Sequence, residues 1–159
     1  MTGRGVHVVD AMIYLGGRLE SVVAQSSRRA LDYGVDDTTS MLFRFKDGAS
    51  AYLGTVIATA ETWRMQVFGA NGWAEVGDVE HLTTWDLRYS FIDRDNVTVK
   101  KAPQVMRFPQ ASTERAELED FARSIEAGRT TAGDAVHNVA VLEAILRSAQ
   151  DGSRQGIVE

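Results

Sequence analysis

His7 and Asp10 stand three residues apart near the start of the chain. On a helix that spacing puts an imidazole and a carboxylate on neighbouring positions of one surface. Histidine suits proton transfer because its ordinary pKa lies near neutrality, and a hydrogen-bonded carboxylate can fix its tautomer. Spacing alone favours a plainer reading, a helix cap with an acid near the positive end of the dipole. His137 and Asp134 repeat the spacing at the start of another helical stretch, where they read as cap and exposed surface. A metal site built on His7 and Asp10 would need one or two further ligands, with His81 and His137 the available candidates. The expectation is that no metal is bound.

Other chemistries find less support. Gly3-Arg4-Gly5 lacks a third glycine, a preceding strand and a ribose-binding acid, so it does not make a dinucleotide turn. GKS, GKT and GxSxG do not occur, which removes the P-loop and the nucleophile elbow. Trp63, Trp73 and Trp85, with Phe43, Tyr52 and Phe68, could wall a sugar or polyol pocket, although aromatic strand residues more commonly form core or interface.

The 159 residues carry 17 Lys+Arg, 22 Asp+Glu and no cysteine, for a net charge of -5. Disulfides, Cys-ligated zinc, iron-sulfur clusters and a thiol nucleophile are therefore excluded. An acidic balance, with Arg28-Arg29 and Lys100-Lys101 the only adjacent basic pairs, argues against nucleic-acid binding. Asp10, Arg44 and Glu143 interrupt the apolar stretches, and Asp10 falls inside the one candidate signal core, Val8 to Leu15. The expectation is a cytoplasmic protein that does not bind membranes, forming one domain over residues 1–159.

Gly5 to Leu15 reads as an opening helix with Val8, Met12 and Leu15 on one face, stopped by Gly16-Gly17. A strand from Leu19 fades into a loop through Tyr33-Gly34. TTSMLFRF and ASAYLGTVIATA flank Lys46-Asp47-Gly48 as a hairpin, and TWRMQVFG and WAEV flank Ala70-Asn71-Gly72 as a second. HLTTWDLR and NVTVKK read as further strands around Asp93-Arg94-Asp95-Asn96. Leu118, Phe121, Ala122 and Ile125 define a helix capped by Ser112 or Thr113 and stopped by Gly128. Ala135, Val139, Leu142, Leu146 and Ala149 define a last helix ending at Gly152. Segregated strands and helices give an α+β fold, a largely antiparallel open sheet with helices on one face.

GVHVVDAMIYLGGRLESVVA, VDDTTSMLFRFKDGASAYL, MQVFGANGWAEV, ELEDFARSIEAG and VLEAILRSAQDG, in that order, resemble the C-terminal domain of the Gfo/Idh/MocA family of oxidoreductases, which includes glucose-fructose oxidoreductase and inositol dehydrogenase. The resemblance implies a domain that follows an NAD- or NADP-binding Rossmann domain, binds a sugar, polyol or related hydroxyl substrate, and oligomerises through its open sheet; the apolar strand residues that the helices cannot cover predict a homodimer or tetramer built face to face through that sheet. It places the family's helix histidine at His7 and the acid of its H-x-x-D pattern at Asp10. His7 would then contact a substrate hydroxyl or assist proton removal while hydride leaves the same carbon.

Gly3 stands where many members carry an aspartate, and cannot exchange a proton. The Rossmann turn and the Glu-Lys-Pro motif with its catalytic lysine belong to the other domain, and Lys100-Lys101-Ala102-Pro103 is no substitute. No cofactor is therefore expected on this chain, which should be catalytically silent alone. Two alternatives remain at this point: a non-enzymatic dimerisation or small-ligand-binding module of the same fold, and a metal-dependent hydrolase using His7, Asp10 and another histidine.

Overall fold

The computed structural model describes residues 4–79, 86–129 and 135–159, which divide into two compact units. The first unit holds helix α1 (Arg4–Gly16), strands β1 (Leu19–Ser27), β2 (Thr38–Phe45) and β3 (Ser50–Val56), helix α3 (Ala135–Asp151) and the short strand β8 (Gln155–Gly156). The second holds β4 (Trp63–Gly69), β5 (Gly72–Asp78), β6 (Asp86–Phe91), β7 (Gln104–Arg107) and helix α2 (Thr113–Glu126). The α+β reading holds, and among the described residues every strand pair is antiparallel. The strands form two four-stranded sheets, ordered β3-β2-β1-β8 and β4-β5-β6-β7, where the sequence suggested one.

The first sheet alternates as a half-buried sheet must. Thr39, Met41, Phe43 and Phe45 of β2 are buried, with Val22 and Ala24 of β1 and Leu53 of β3 on the same side. Leu42 and Tyr52 point the other way and are exposed. α3 packs along β1 and β8, and α1 packs against α3. Each fully buried large side chain here, such as Phe43 or Leu19, contributes roughly 1.5–3 kcal/mol by leaving water.

Both helices bury a different stripe from the one expected. In α1 the buried residues are Gly5, Val9, Met12 and Ile13, while Leu15 is exposed and Val8 half-buried. The i, i+4, i+7, i+8 set continues to Gly16, where a side chain would strike the Phe45 ring, its Cβ only 2.6 Å from Cε1. In α3 the buried residues are His137, Ala140, Val141, Ala144, Ile145 and Ser148, with Val139 and Leu146 exposed. Each helix is apolar on more than one side, so period alone offers two stripes. Small residues decide between them, because Ala140, Ala144 and Ser148 let α3 approach the sheet closely.

Two polar side chains complete the first unit. β8 pairs with β1 only at Ser21 and Val22, which leaves the β1 edge open beyond it. There Ser148 Oγ accepts the Ala24 N–H at 2.8 Å and donates to the Ser153 carbonyl at 2.5 Å, doing the work of a missing strand residue. Asp37, also buried, gathers the chain that follows β1: its carboxylate accepts the N–H groups of Leu31 and Ala30 at 2.8 Å and of Arg29 at 3.0 Å, and the Thr38 hydroxyl at 2.9 Å. These donors, the Leu31 N–H foremost, hold the Asp37 carboxyl well below the usual carboxylate range, outweighing the opposing effect of burial.

In the second unit both faces of the sheet are legible from register. Met65, Val67, Val76, Ala74, Leu87, Tyr89, Phe91 and Met106 share one apolar face, while Glu75, Arg88, Asp86 and Arg107 form ion pairs on the other. The β4–β5 hairpin turns on Ala70 and Asn71, between the paired Gly69 and Gly72, so Asn71-Gly72 is not the central pair of the turn. Gly72 has φ 151°, and a Cβ there would lie 2.0 Å from the Ser90 carbonyl oxygen of β6. Close strand approach, not turn chemistry, requires this glycine.

NVTVKK is not a strand; β7 is the later QVMR. The Asp93 carboxylate accepts the Asp95 and Asn96 N–H groups, and Asn96 accepts from Thr98, so local bonds capture backbone groups that a ladder would need. The expected segment HLTTW lies outside the described residues. α2 matches its expected span, with Ser112 as N-cap and Gly128 at φ 61° beyond its end. Its apolar stripe is open, however: Leu118, Phe121 and Ile125 are all exposed.

Candidate active site

His7 and Asp10 both lie on the solvent side of α1, opposite the Val9–Met12–Ile13 stripe. The imidazole of His7 is exposed. The helix therefore presents both groups outward, as a ligand-facing pair requires. Asp10 does not bond His7 but is tied to the neighbouring helix: Asn138 Nδ2 of α3 donates to its Oδ1 at 2.7 Å. Sequence reasoning missed Asn138, because a single amide 128 residues away carries no spacing signal.

His137, expected on the surface, is buried at 1% exposure. The backbone N–H of Leu19 donates to Nε2 at 3.0 Å, so Nε2 is the unprotonated nitrogen and Nδ1 carries the hydrogen, which it donates to Glu159 Oε1 at 2.7 Å. Arg18 pairs with the same carboxylate. Both ring nitrogens are thus occupied in joining α3, the start of β1 and residue 159, and His137 is a structural histidine. Asp134, His81, Trp85 and Gly3 lie outside the described residues. Among the described residues no group of three His, Cys, Asp or Glu side chains could hold a metal ion.

Of the aromatic candidates, Phe43 is core in the first unit, Tyr52 is exposed on the other face of the same sheet, and Trp63, Trp73 and Phe68 belong to the second unit. Within the first unit, Phe43 and Tyr52 lie on opposite faces of the sheet and do not share a wall. The second unit carries a shallow apolar groove of about 460 Å³, lined by Val67, Ala74, Leu87, Tyr89, Phe91 and Met106 among others. Tyr89 and Phe91 meet edge to face there, 5.6 Å between centroids.

A dinucleotide needs strand-to-helix turns whose amides meet its phosphates, usually in a parallel sheet. The described residues form antiparallel hairpins with no strand–helix–strand unit, and do not fit that group. No described helix is long and apolar enough to cross a membrane.

Helices packed on an antiparallel sheet, with an outward-facing His-x-x-Asp helix, define an α+β domain. Residues 1–75 match the model of the GFO/IDH/MocA C-terminal domain family. The fold over nearly the whole chain is that of the C-terminal domains of GFO-type oxidoreductases, so the resemblance read from the sequence holds.

Among solved structures, the aldose-aldose oxidoreductase from Caulobacter crescentus, complexed with glycerol, is 25% identical with a TM-score of 0.77, over 96% of this chain and 45% of that one. Levoglucosan dehydrogenase, in complex with NADH and L-sorbose, shares the fold at 16% identity and a TM-score of 0.80, over 99% of this chain and 49% of that one. The WlbA dehydrogenase from Bordetella pertussis, in complex with NADH and UDP-GlcNAcA, does so at 20% identity and a TM-score of 0.67, over 98% of this chain and 44% of that one. The chain spans less than half the length of each. No curated protein matches it in sequence.

Proposed function

We propose that this chain is the substrate-binding and oligomerisation domain of a cytoplasmic NAD(P)-dependent oxidoreductase that acts on a sugar, polyol or related hydroxyl substrate. The observation that carries the reading is the outward placement of His7 and Asp10 on α1, in a chain whose first 75 residues match the family. Oxidising an alcohol carbon removes a hydride and a proton; the nicotinamide takes the hydride when bound. His7 contacts the hydroxyl and assists departure of its proton, and Asp10 accepts a second hydroxyl. The nucleotide is held by a Rossmann domain, since the described residues do not fit it, and the chain by itself is catalytically silent. The apolar face of the β4–β7 sheet meets a second copy of the chain, because exposed side chains such as Phe91 gain by leaving water together.

Saturation-transfer NMR on the purified chain, with levoglucosan and L-sorbose as probes, tests the site. Binding that is lost in His7→Ala supports it; binding unchanged in that variant overturns it. Saturable NADH binding, or NAD(P)-dependent sugar oxidation by the chain alone, would overturn the division of labour.

A further inference from the structure

The carboxylate that α1 presents does not stand free. Asn138 Nδ2 donates to Asp10 Oδ1 at 2.7 Å, joining α3 to α1. A carboxylate only accepts hydrogen bonds, so the amide nitrogen, not the oxygen, must face Asp10. The other end of that amide is left without compensation: Asn138 Oδ1 is buried and has no partner among the described residues. Leaving a buried carbonyl unpaired is costly, so the residue is not placed there for the stability of its own side chain. Its one bond fixes the Asp10 carboxylate, and Asp10 Oδ2 has no donor among the described residues.

We infer that Asn138 is a positioning residue of the α1 site, holding Asp10 by Oδ1 so that Oδ2 is free to accept a ligand hydroxyl. The inference rests on the site reading given above. α3 suits this role because its next residue back, His137, is locked to Leu19 and Glu159. The amide is therefore carried on a turn that cannot rotate away.

The test is titration of the purified chain with levoglucosan and with L-sorbose, followed by NMR, for the wild type, Asp10→Ala, Asn138→Ala and the double variant. Asn138→Ala should weaken binding about tenfold, the lower end of what a hydrogen bond to a charged group is worth. The double variant should bind no more weakly than Asp10→Ala, because Asn138 acts only through that carboxylate. Asn138→Asp, which keeps the size but sets two carboxylates together, should weaken binding at least as much. In Asp10→Asn, the Asn138 side-chain amide resonances should move from their wild-type positions. If Asp10→Ala loses binding while a folded Asn138→Ala retains it, the inference falls and the site stands. If the wild type binds neither probe, the site reading falls and takes the inference with it. Should Asn138→Ala fail to fold, Asn138→Asp and the amide resonances decide.

Discussion

Replacing Ser148 with alanine removes a few atoms from the first unit but strands a backbone group. Ser148 is fully buried, and its Oγ is the acceptor for the Ala24 N–H, on the stretch of the β1 edge that β8 is too short to cover. Alanine fits the space, so the cost is not a cavity; it is the desolvation of an unpaired amide, roughly 1–3 kcal/mol. The lost donation to Ser153 matters less, because Ser153 is exposed and water can replace the hydroxyl. Taking about 2 kcal/mol, and roughly 2–4 °C per kcal/mol for a chain of this size, the midpoint should fall by about 6 °C. Urea denaturation should show a lower midpoint with an unchanged slope, since the surface exposed on unfolding is the same. Hydrogen exchange gives the local signature: the Ala24 amide should lose protection beyond the global loss, while Leu42, paired to Val23 on the far side of β1, should follow only the global change. An unshifted midpoint, or an Ala24 amide no less protected than its neighbours, would refute the claim that the hydroxyl substitutes for a strand.

Three further outcomes follow from the same structure. The folded-state pKa of Asp37 is depressed below its ordinary 3.8, so its stabilisation is complete above that value and is lost as the pH falls below it toward the folded-state pKa; Asp37→Asn should flatten the fall in stability measured by urea denaturation below about pH 4, and an identical acid slope would count against the N–H cluster. Gly72→Ala should destabilise the second unit by more than about 2 kcal/mol, because its Cβ would collide with the Ser90 carbonyl, whereas Gly34→Ala, with nothing within 4 Å, should stay within about 0.5 kcal/mol; equal effects in thermal melts would show that strand approach is not what selects glycine. Phe91→Lys on the apolar sheet face should convert a dimer or tetramer to monomer in sedimentation velocity, and a wild type that is already monomeric at micromolar concentration would remove the proposed interface.

The hairpins were legible because alternating apolar residues and the Asp47-Gly48 turn are local signals, and Asn71-Gly72 marked the second hairpin although its glycine serves strand approach and not the centre of the turn. The helix boundaries were legible for a similar reason, with Ser112 capping α2 and Gly17, Gly128 and Gly152 at positive φ beyond the three ends. The buried stripes of α1 and α3 were not, because both helices carry apolar residues on several sides and only the partner surface selects among them. NVTVKK misled because β-branched residues suit a strand, while Asp93 and Asn96 bond the backbone locally and win. At the site, His7 and Asp10 stood out as candidates by spacing and resemblance, and the structure adds their outward placement on α1. Asn138 and the buried role of His137 depend on contacts more than 100 residues apart, which no short-range pattern encodes.

The central claim is that α1 presents a hydroxyl-binding site. Its most direct test is a ¹H–¹⁵N chemical-shift map of the purified chain titrated with levoglucosan. The account predicts saturable shifts concentrated at His7, Asp10 and the Asn138 side-chain amide, absent in His7→Ala. Shifts confined to the β4–β7 sheet, or no shifts at saturating sugar, would contradict it.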